Sequence, residues 1–188
     1  MGIVVVALAG VFGPQWAWVA AGVVVAVGVG GLAWGVLREP RADSLTLMGS
    51  SIRPIALGVI WREHALLVFE GRDDVKGETY YRPLGGGVEF GERSDDALQR
   101  EFREELDAEV LVKERLGVLE NVFSWRDNPG HEIAFVYDAE FVDSALYAKD
   151  EMKILDDPAT ARWVDFADFR DGSKILYPRG LTELLSTE

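Results

Sequence analysis

The sequence predicts an α/β domain of layered strands and helices over residues 51–188, preceded by an apolar N-terminal helix. Three observations carry this expectation. Short apolar runs rich in β-branched residues recur after residue 50. They are interrupted by one long stretch of helical periodicity, Ser94–Leu106. The apolar and charged residues are also sharply divided. Up to residue 47 the charged side chains are Arg38, Glu39, Arg41 and Asp43, which cancel, so the net charge of −13 falls entirely on the rest.

Residues 1–37 contain no charged side chain. Trp16–Leu37 is 22 residues of Trp, Ala, Val, Gly and Leu, long enough to cross a bilayer as a helix. Trp16, Trp18 and Trp34 lie near its ends, where indole favours the membrane interface. Arg38 and Arg41 follow at once and would place the C-terminal side in the cytoplasm. A competing reading starts the natural chain near Met48, leaving a cytoplasmic protein. No basic residue precedes the apolar core, which disfavours a secretory signal. Gly28, Gly30 and Ala33 fit a dinucleotide fingerprint in spacing, but no βαβ unit surrounds them. Residues 38–50, polar and with Pro40, read as a linker.

Ile55–Trp61 and Ala65–Glu70 read as strands joined by a turn at Arg62–His64, and Thr79–Arg82 as a short third. Leu84–Gly91 is glycine-rich. Ser94–Leu106 reads as a helix with Ser94 as its N-cap and Asp95 and Asp96 favourable in the first turn. Leu98, Phe102 and Leu106 form its buried stripe. Glu109–Lys113, Leu116–Ser124, Glu132–Phe141 and Arg162–Phe166 read as strands, and Leu181–Leu185 begins a short final helix.

Composition narrows the chemistry. There is no cysteine, and the two histidines are His64 and His131, so thiolate and His-based zinc sites are disfavoured. A metal would be held mainly by oxygen, which favours magnesium, manganese or calcium. The acidic domain would repel a nucleic-acid backbone, and no nucleic-acid partner is expected. There is no Walker-type phosphate loop and no G-x-S-x-G nucleophile elbow.

The helix carries a second face. Glu101, Glu104 and Glu105 fall within about 100° of arc, opposite much of the apolar stripe. Three carboxylates so close repel one another, and a hard divalent ion relieves that repulsion. Alone, E-x-x-E-E reads as a solvated acidic face with Arg100 and Arg103 as local partners. The surroundings change this. Gly86, Glu92, Arg100-Glu101 and Glu104-Glu105 stand at the spacing G-x5-E-x7-R-E-x-x-E-E.

This pattern resembles the signature of the Nudix (MutT-like) family. Six of its seven fixed positions are present, and the wider stretch YRPLGGGVEFGERSDDALQREFREEL is similar throughout. The departure is Asp107, where the family has a helix-ending glycine; a left-handed backbone there would cost Asp roughly 1 kcal/mol.

The resemblance implies a Nudix-type α/β/α sandwich with a mixed sheet. It also implies a Mg2+ (or Mn2+)-dependent hydrolase that cleaves the diphosphate linkage of a nucleoside diphosphate joined to another moiety. By that resemblance Glu101, Glu104 and Glu105 bind metal, Gly86 lends a carbonyl, and Arg100 orients the glutamates. Glu92 supports the metal or orders the loop. Glu101 is the first choice of proton acceptor, with Glu132 and Glu151 as alternatives that otherwise read as surface acids.

Substrate recognition is assigned to Arg82, Tyr81 and Trp125, out of four aromatics near the expected site, Tyr80, Tyr81, Phe123 and Trp125, and three arginines able to contact phosphates, Arg53, Arg82 and Arg126. Many family members dimerise, so a homodimer is admitted. Two other functions stay open: a catalytically silent domain that senses a nucleotide or protein, and a membrane-tethered scaffold.

Overall fold

The computed structural model describes residues 51–155 and 157–186. The apolar segment 1–37, the linker and the expectations placed on them lie outside the described residues. Among those described, no helix is long and apolar enough to cross a membrane.

Two sheets form the frame. In the first, β1 (Arg53–Val59) runs parallel to β6 (Asn128–Phe141), and β5 (Val110–Trp125) runs antiparallel to β6 on its other side. This is the expected mixed sheet. In the second, β3 (Ala65–Asp73) pairs antiparallel with β2 (Trp61–Arg62), β4 (Glu78–Arg82) and β8 (Thr160–Asp165). The short β7 (Glu151–Lys153) closes that sheet by pairing with β8. The helices are α1 (Ser94–Leu106), α2 (Phe166–Arg170) and α3 (Leu181–Leu185), with a 3-10 turn at Ser144–Ala148.

Strand alternation feeds two apolar layers. On β3, Leu67 packs in one layer with Leu98 and Phe102 of α1. Its neighbours Leu66 and Val68 point the other way, to Phe166 and Phe169 of α2 and Leu181 of α3. On β6, Tyr137, Ala139 and Phe141 join the first layer and Val136 the second. Both faces are therefore covered by helix, which is the α/β/α arrangement.

The position of α1 is set by a close approach. A Cβ at Gly58 of β1 would lie 2.7 Å from Cε2 of Phe102. The fully buried Phe102 ring thus rests directly on the strand backbone. This docking leaves the glutamate face of α1 directed along the helix flank, toward the glycine-rich loop.

Several local expectations are corrected. Arg93, with φ −82° and ψ 149°, is the N-cap of α1, and it makes no side-chain capping bond. Ser94 is the first helical residue, and its hydroxyl is spent on the Tyr137 hydroxyl at 2.6 Å, pinning α1 to β6. The two strands expected at 109–113 and 116–124 are one, because register shifts between Val112, Arg115 and Gly117 let the ladder continue. β6 begins earlier than expected, at Asn128. Arg126 and Asp127 both adopt positive φ, 48° and 62°, and close β5 onto β6 in two residues without a glycine. The strand expected to run through Phe166 ends at Asp165, whose carboxylate accepts from the Ala167 N–H and starts α2.

Asp107 takes the left-handed conformation inferred from its position in the signature, with φ 50° and ψ 41°. Its N–H donates to the Arg103 carbonyl at 3.1 Å and that of Ala108 to the Phe102 carbonyl at 3.3 Å. Glycine holds this backbone without a Cβ penalty. Asp107→Gly is expected to raise the unfolding free energy by about 1 kcal/mol in urea titration, with an unchanged m-value.

Candidate active site

The site is built on the loop between β4 and α1, which runs alongside β1. Leu84 O accepts from Gly58 N–H at 3.0 Å, Gly86 O from Ala56 N–H at 2.8 Å, and Pro54 O from Val88 N–H at 3.0 Å. Gly85 has φ 125°, a conformation closed to L side chains. At Gly86 the need is space: a Cβ would lie 2.5 Å from Cδ of Glu101. The Glu101 carboxylate therefore nestles against bare backbone, and Glu101 is 9% exposed.

Arg100 organises the acids. Its Nε and Nη2 donate to the two carboxylate oxygens of Glu92 at 2.9 and 3.0 Å. Nη2 also donates to the Gly87 carbonyl at 2.8 Å. Nη1 reaches Oε1 of Glu101 at 2.6 Å and Oε2 of Glu104 at 3.4 Å. Glu92 closes its own loop by accepting from Glu89 N–H at 3.0 Å. On the neighbouring strip of α1, Oε2 of Glu105 accepts from Gly85 N–H at 3.2 Å. Hydrogen bonds from Arg100 hold the Glu92 carboxyl below the usual carboxylate range. Reciprocally, Glu92 and then Glu101 raise the affinity of Arg100 for its proton.

Among the described residues no three acidic or imidazole side chains gather as a metal cage. The cause is local. Glu101 and Glu104 are turned to Arg100, so a guanidinium relieves the repulsion for which a divalent cation was expected. The chemistry of the donors, though not their present arrangement, suits such a cation. Three carboxylates and the second lone pair of the Gly86 carbonyl are hard oxygen ligands, and the bare Cα of Gly86 leaves room for the Glu101 carboxylate.

The substrate candidates are scattered. Arg82, at the end of β4, lies 4.0 Å from the carboxylate of Glu132 and leads into the glycine loop. Tyr81 is 8% exposed, packs edge-on against Phe169, and donates its hydroxyl to Glu70 at 3.0 Å. It points into the core because strand alternation sends it to the side opposite Arg82. Trp125 lies apart from the glycine loop. It sits at the tip of the β5–β6 hairpin under the guanidinium of Arg126, at 4.5 Å. Ile55 bridges Gly87 and pairs with Ala134, so the hairpin tip at Asn128 is six residues farther along β6, roughly 20 Å away. Of the two alternative proton acceptors, Glu151 is exposed and faces Arg162 at 3.4 Å. Glu132 is only 4% exposed, against its reading as a surface acid.

The Glu92–Arg100 pair has a pH signature. A carboxyl whose pKa is depressed in the folded state contributes stability above its unfolded pKa and loses it as pH falls through the folded value. Stability should therefore drop as pH is lowered below about 4.5, the ordinary Glu value for this group. Glu92→Gln should be less stable at neutral pH and show a flatter acid limb in thermal melts taken across this range.

Comparison with known proteins agrees with the fold. A curated ADP-ribose pyrophosphatase of Methanocaldococcus jannaschii is 31% identical over 96 residues, 51% of this chain and 55% of that one. The chain thus spans about half the length of this relative. Among solved structures, the MutT protein of Methanosarcina mazei Go1 superposes with a TM-score of 0.53 at 17% identity, covering 73% of this chain and 92% of that one. The ORF135 protein of E. coli gives 0.52 at 19% identity, covering 72% and 87%. These two likenesses show the fold. The family model of the NUDIX domain matches residues 52–183, and the chain belongs to that family.

Proposed function

We propose that this domain is a hydrolase dependent on Mg2+ or Mn2+ that cleaves the diphosphate linkage of a nucleoside diphosphate joined to another group. The observation that carries this reading is the placement of Glu101, Glu104 and Glu105 on one helix flank beside the bare backbone of Gly85 and Gly86. In this reading Glu104, Glu105 and the Gly86 carbonyl hold the metal, with the Glu101 carboxylate beside it. When bound, the cation supplies charge neutralisation at the departing phosphate and lowers the pKa of water.

The chain's own residues supply the rest. Oε1 of Glu101 is committed to Arg100, so Oε2 is the atom that accepts the proton of the attacking water. Arg100 is a positioning residue, since its fork fixes Glu92, Glu101 and Glu104 relative to the loop. Arg82, partly exposed beside the loop, binds a substrate phosphate. ADP-ribose is the first substrate to test, because the curated relative is named for it. A second reading, a nucleotide-binding domain without turnover, is favoured by one observation: Arg100 occupies the Glu101 and Glu104 carboxylates in the way a metal would.

The two readings separate in one experiment. The full chain, purified in mild detergent, is assayed with magnesium on ADP-ribose, nucleotide sugars, nucleoside triphosphates and dinucleoside polyphosphates. Turnover by wild type, lowered about 100-fold or more in Glu104→Gln and in Glu105→Gln, is the expected outcome. Nucleotide binding with no turnover of any of these would overturn it in favour of the silent domain. Gly86→Ala should leave the melting temperature nearly unchanged, since the clash is with the end of a flexible side chain. It should nevertheless reduce turnover by displacing the Glu101 carboxylate.

A further inference from the structure

Four polar or charged residues are buried among the described ones: Asp73, Glu101, Asn121 and Glu132. The first is fully engaged and the second is held through one oxygen. Asp73 accepts backbone N–H groups from Val75, Lys76 and Arg126. Glu101 is held by Arg100. The other two are not. Asn121 of β5 and Glu132 of β6 are cross-strand partners, 7% and 4% exposed. Among the described residues neither side chain makes a hydrogen bond. The ion pair of Glu132 with Arg82, at 4.0 Å, is too long to be one.

Both polar ends still touch solvent. Among the described residues the fully enclosed side-chain atoms without a partner are Trp125 Nε1 and Arg162 Nε, and no atom of Asn121 or Glu132 is among them. A carboxylate and a carboxamide are thus set on paired positions of neighbouring strands, nine-tenths covered, with their hydrogen-bonding capacity unspent. Apart from the long ion pair of Glu132 with Arg82, neither group meets a polar side-chain partner among the described residues.

Their surroundings define what would use them. Arg53, Glu132 and Asn121 form one rung across β1, β6 and β5. Two residues along, Ile55 pairs with Ala134 and bridges Gly87 of the candidate catalytic loop. On the other side, Phe123 pairs with Gly130, and a Cβ there would run into its ring. Strand spacings put the Glu132 rung roughly 10 Å from the glycine loop. In order along the sheet come phosphate-handling loop, acid–amide pair, aromatic ring. A carboxylate only accepts hydrogen bonds, so its partner must donate. The sugar hydroxyls and base N–H groups of a nucleoside do so, and an aromatic ring accepts the face of a base.

We infer that Glu132 and Asn121 are the specificity-determining pair for the nucleoside half of the substrate, with Phe123 as the stacking surface. This rests on the hydrolase reading for the term substrate, but the binding it describes is measured without turnover. The full chain, in detergent with magnesium, is titrated calorimetrically with AMP, 2′-deoxy-AMP, GMP, IMP and inorganic pyrophosphate. Wild type is expected to bind at least one nucleotide. Glu132→Gln should weaken that binding about 10-fold or more while pyrophosphate binding is unchanged.

Asn121→Ala, which removes no charge, repeats the test should Glu132→Gln melt early. A preference for AMP over 2′-deoxy-AMP that disappears in the variant supports recognition through the sugar. A preference for GMP over IMP that disappears supports recognition through the base. Variants that bind every nucleotide as wild type does overturn the inference, as does equal loss of nucleotide and pyrophosphate. Failure of the hydrolase reading looks different: no turnover by wild type, yet nucleotide binding that still depends on Glu132.

Discussion

The guanidinium of Arg100 is the constraint on which the site depends. One planar fork meets Glu92, Gly87, Glu101 and Glu104, which belong to the loop and to two turns of α1. Four glutamates crowd this region, and without a cation among them the loop would be pushed from the helix. A lysine would offer a point charge, not a fork, and could not span both oxygens of Glu92 while reaching Glu101. The shape of the loop, the exposure of its carbonyls and the aim of the glutamates follow from this side chain.

That fork works because packing brings α1 to it at a fixed angle. Phe102 rests on the backbone of β1 at Gly58, and Ser94 is tied to Tyr137 of β6. With the apolar stripe seated, helical periodicity leaves no choice about where Glu101 and Glu105 point. The same β1 backbone bonds the glycine loop along its edge. One strand thus positions both halves of the site, and small residues at Gly58, Gly85 and Gly86 let helix, strand and loop approach closely.

Charge sets a tension across the domain. A net charge of −13 disfavours a polyanion at long range, while a nucleotide phosphate needs local cations. Arg82, at the end of the strand that leads into the glycine loop, lies 4.0 Å from Glu132, and Arg53 lies on that rung. Away from the site, Asp73 accepts N–H groups from both the β3–β4 turn and the β5–β6 turn, and Lys76 reaches the Ser124 carbonyl. Two hairpin tips are thereby locked together, which steadies the strands that carry Asn121 and Glu132.

The sequence by itself determined the helix Ser94–Leu106 apart from its capping residue, most strands, the family pattern and the acidic face of α1. These follow from period, spacing and the chemistry of single side chains, which are local. It did not determine the β5–β6 hairpin, because its turn uses Arg126 and Asp127 where the usual signal is a glycine. Ser94 looked like a cap until β6 supplied a nearer partner for its hydroxyl.

Tyr81 and Arg82 are adjacent in sequence yet face opposite ways, one into the core and one toward Glu132, since which face of a strand is buried depends on what packs against it. The pairing of Asn121 with Glu132 likewise exists only through the register of β5 on β6. The alternation Leu119, Asn121, Phe123 hints that Asn121 points inward. Only the folded sheet brings the acid beside it, because register is fixed by contacts between strands and not within them.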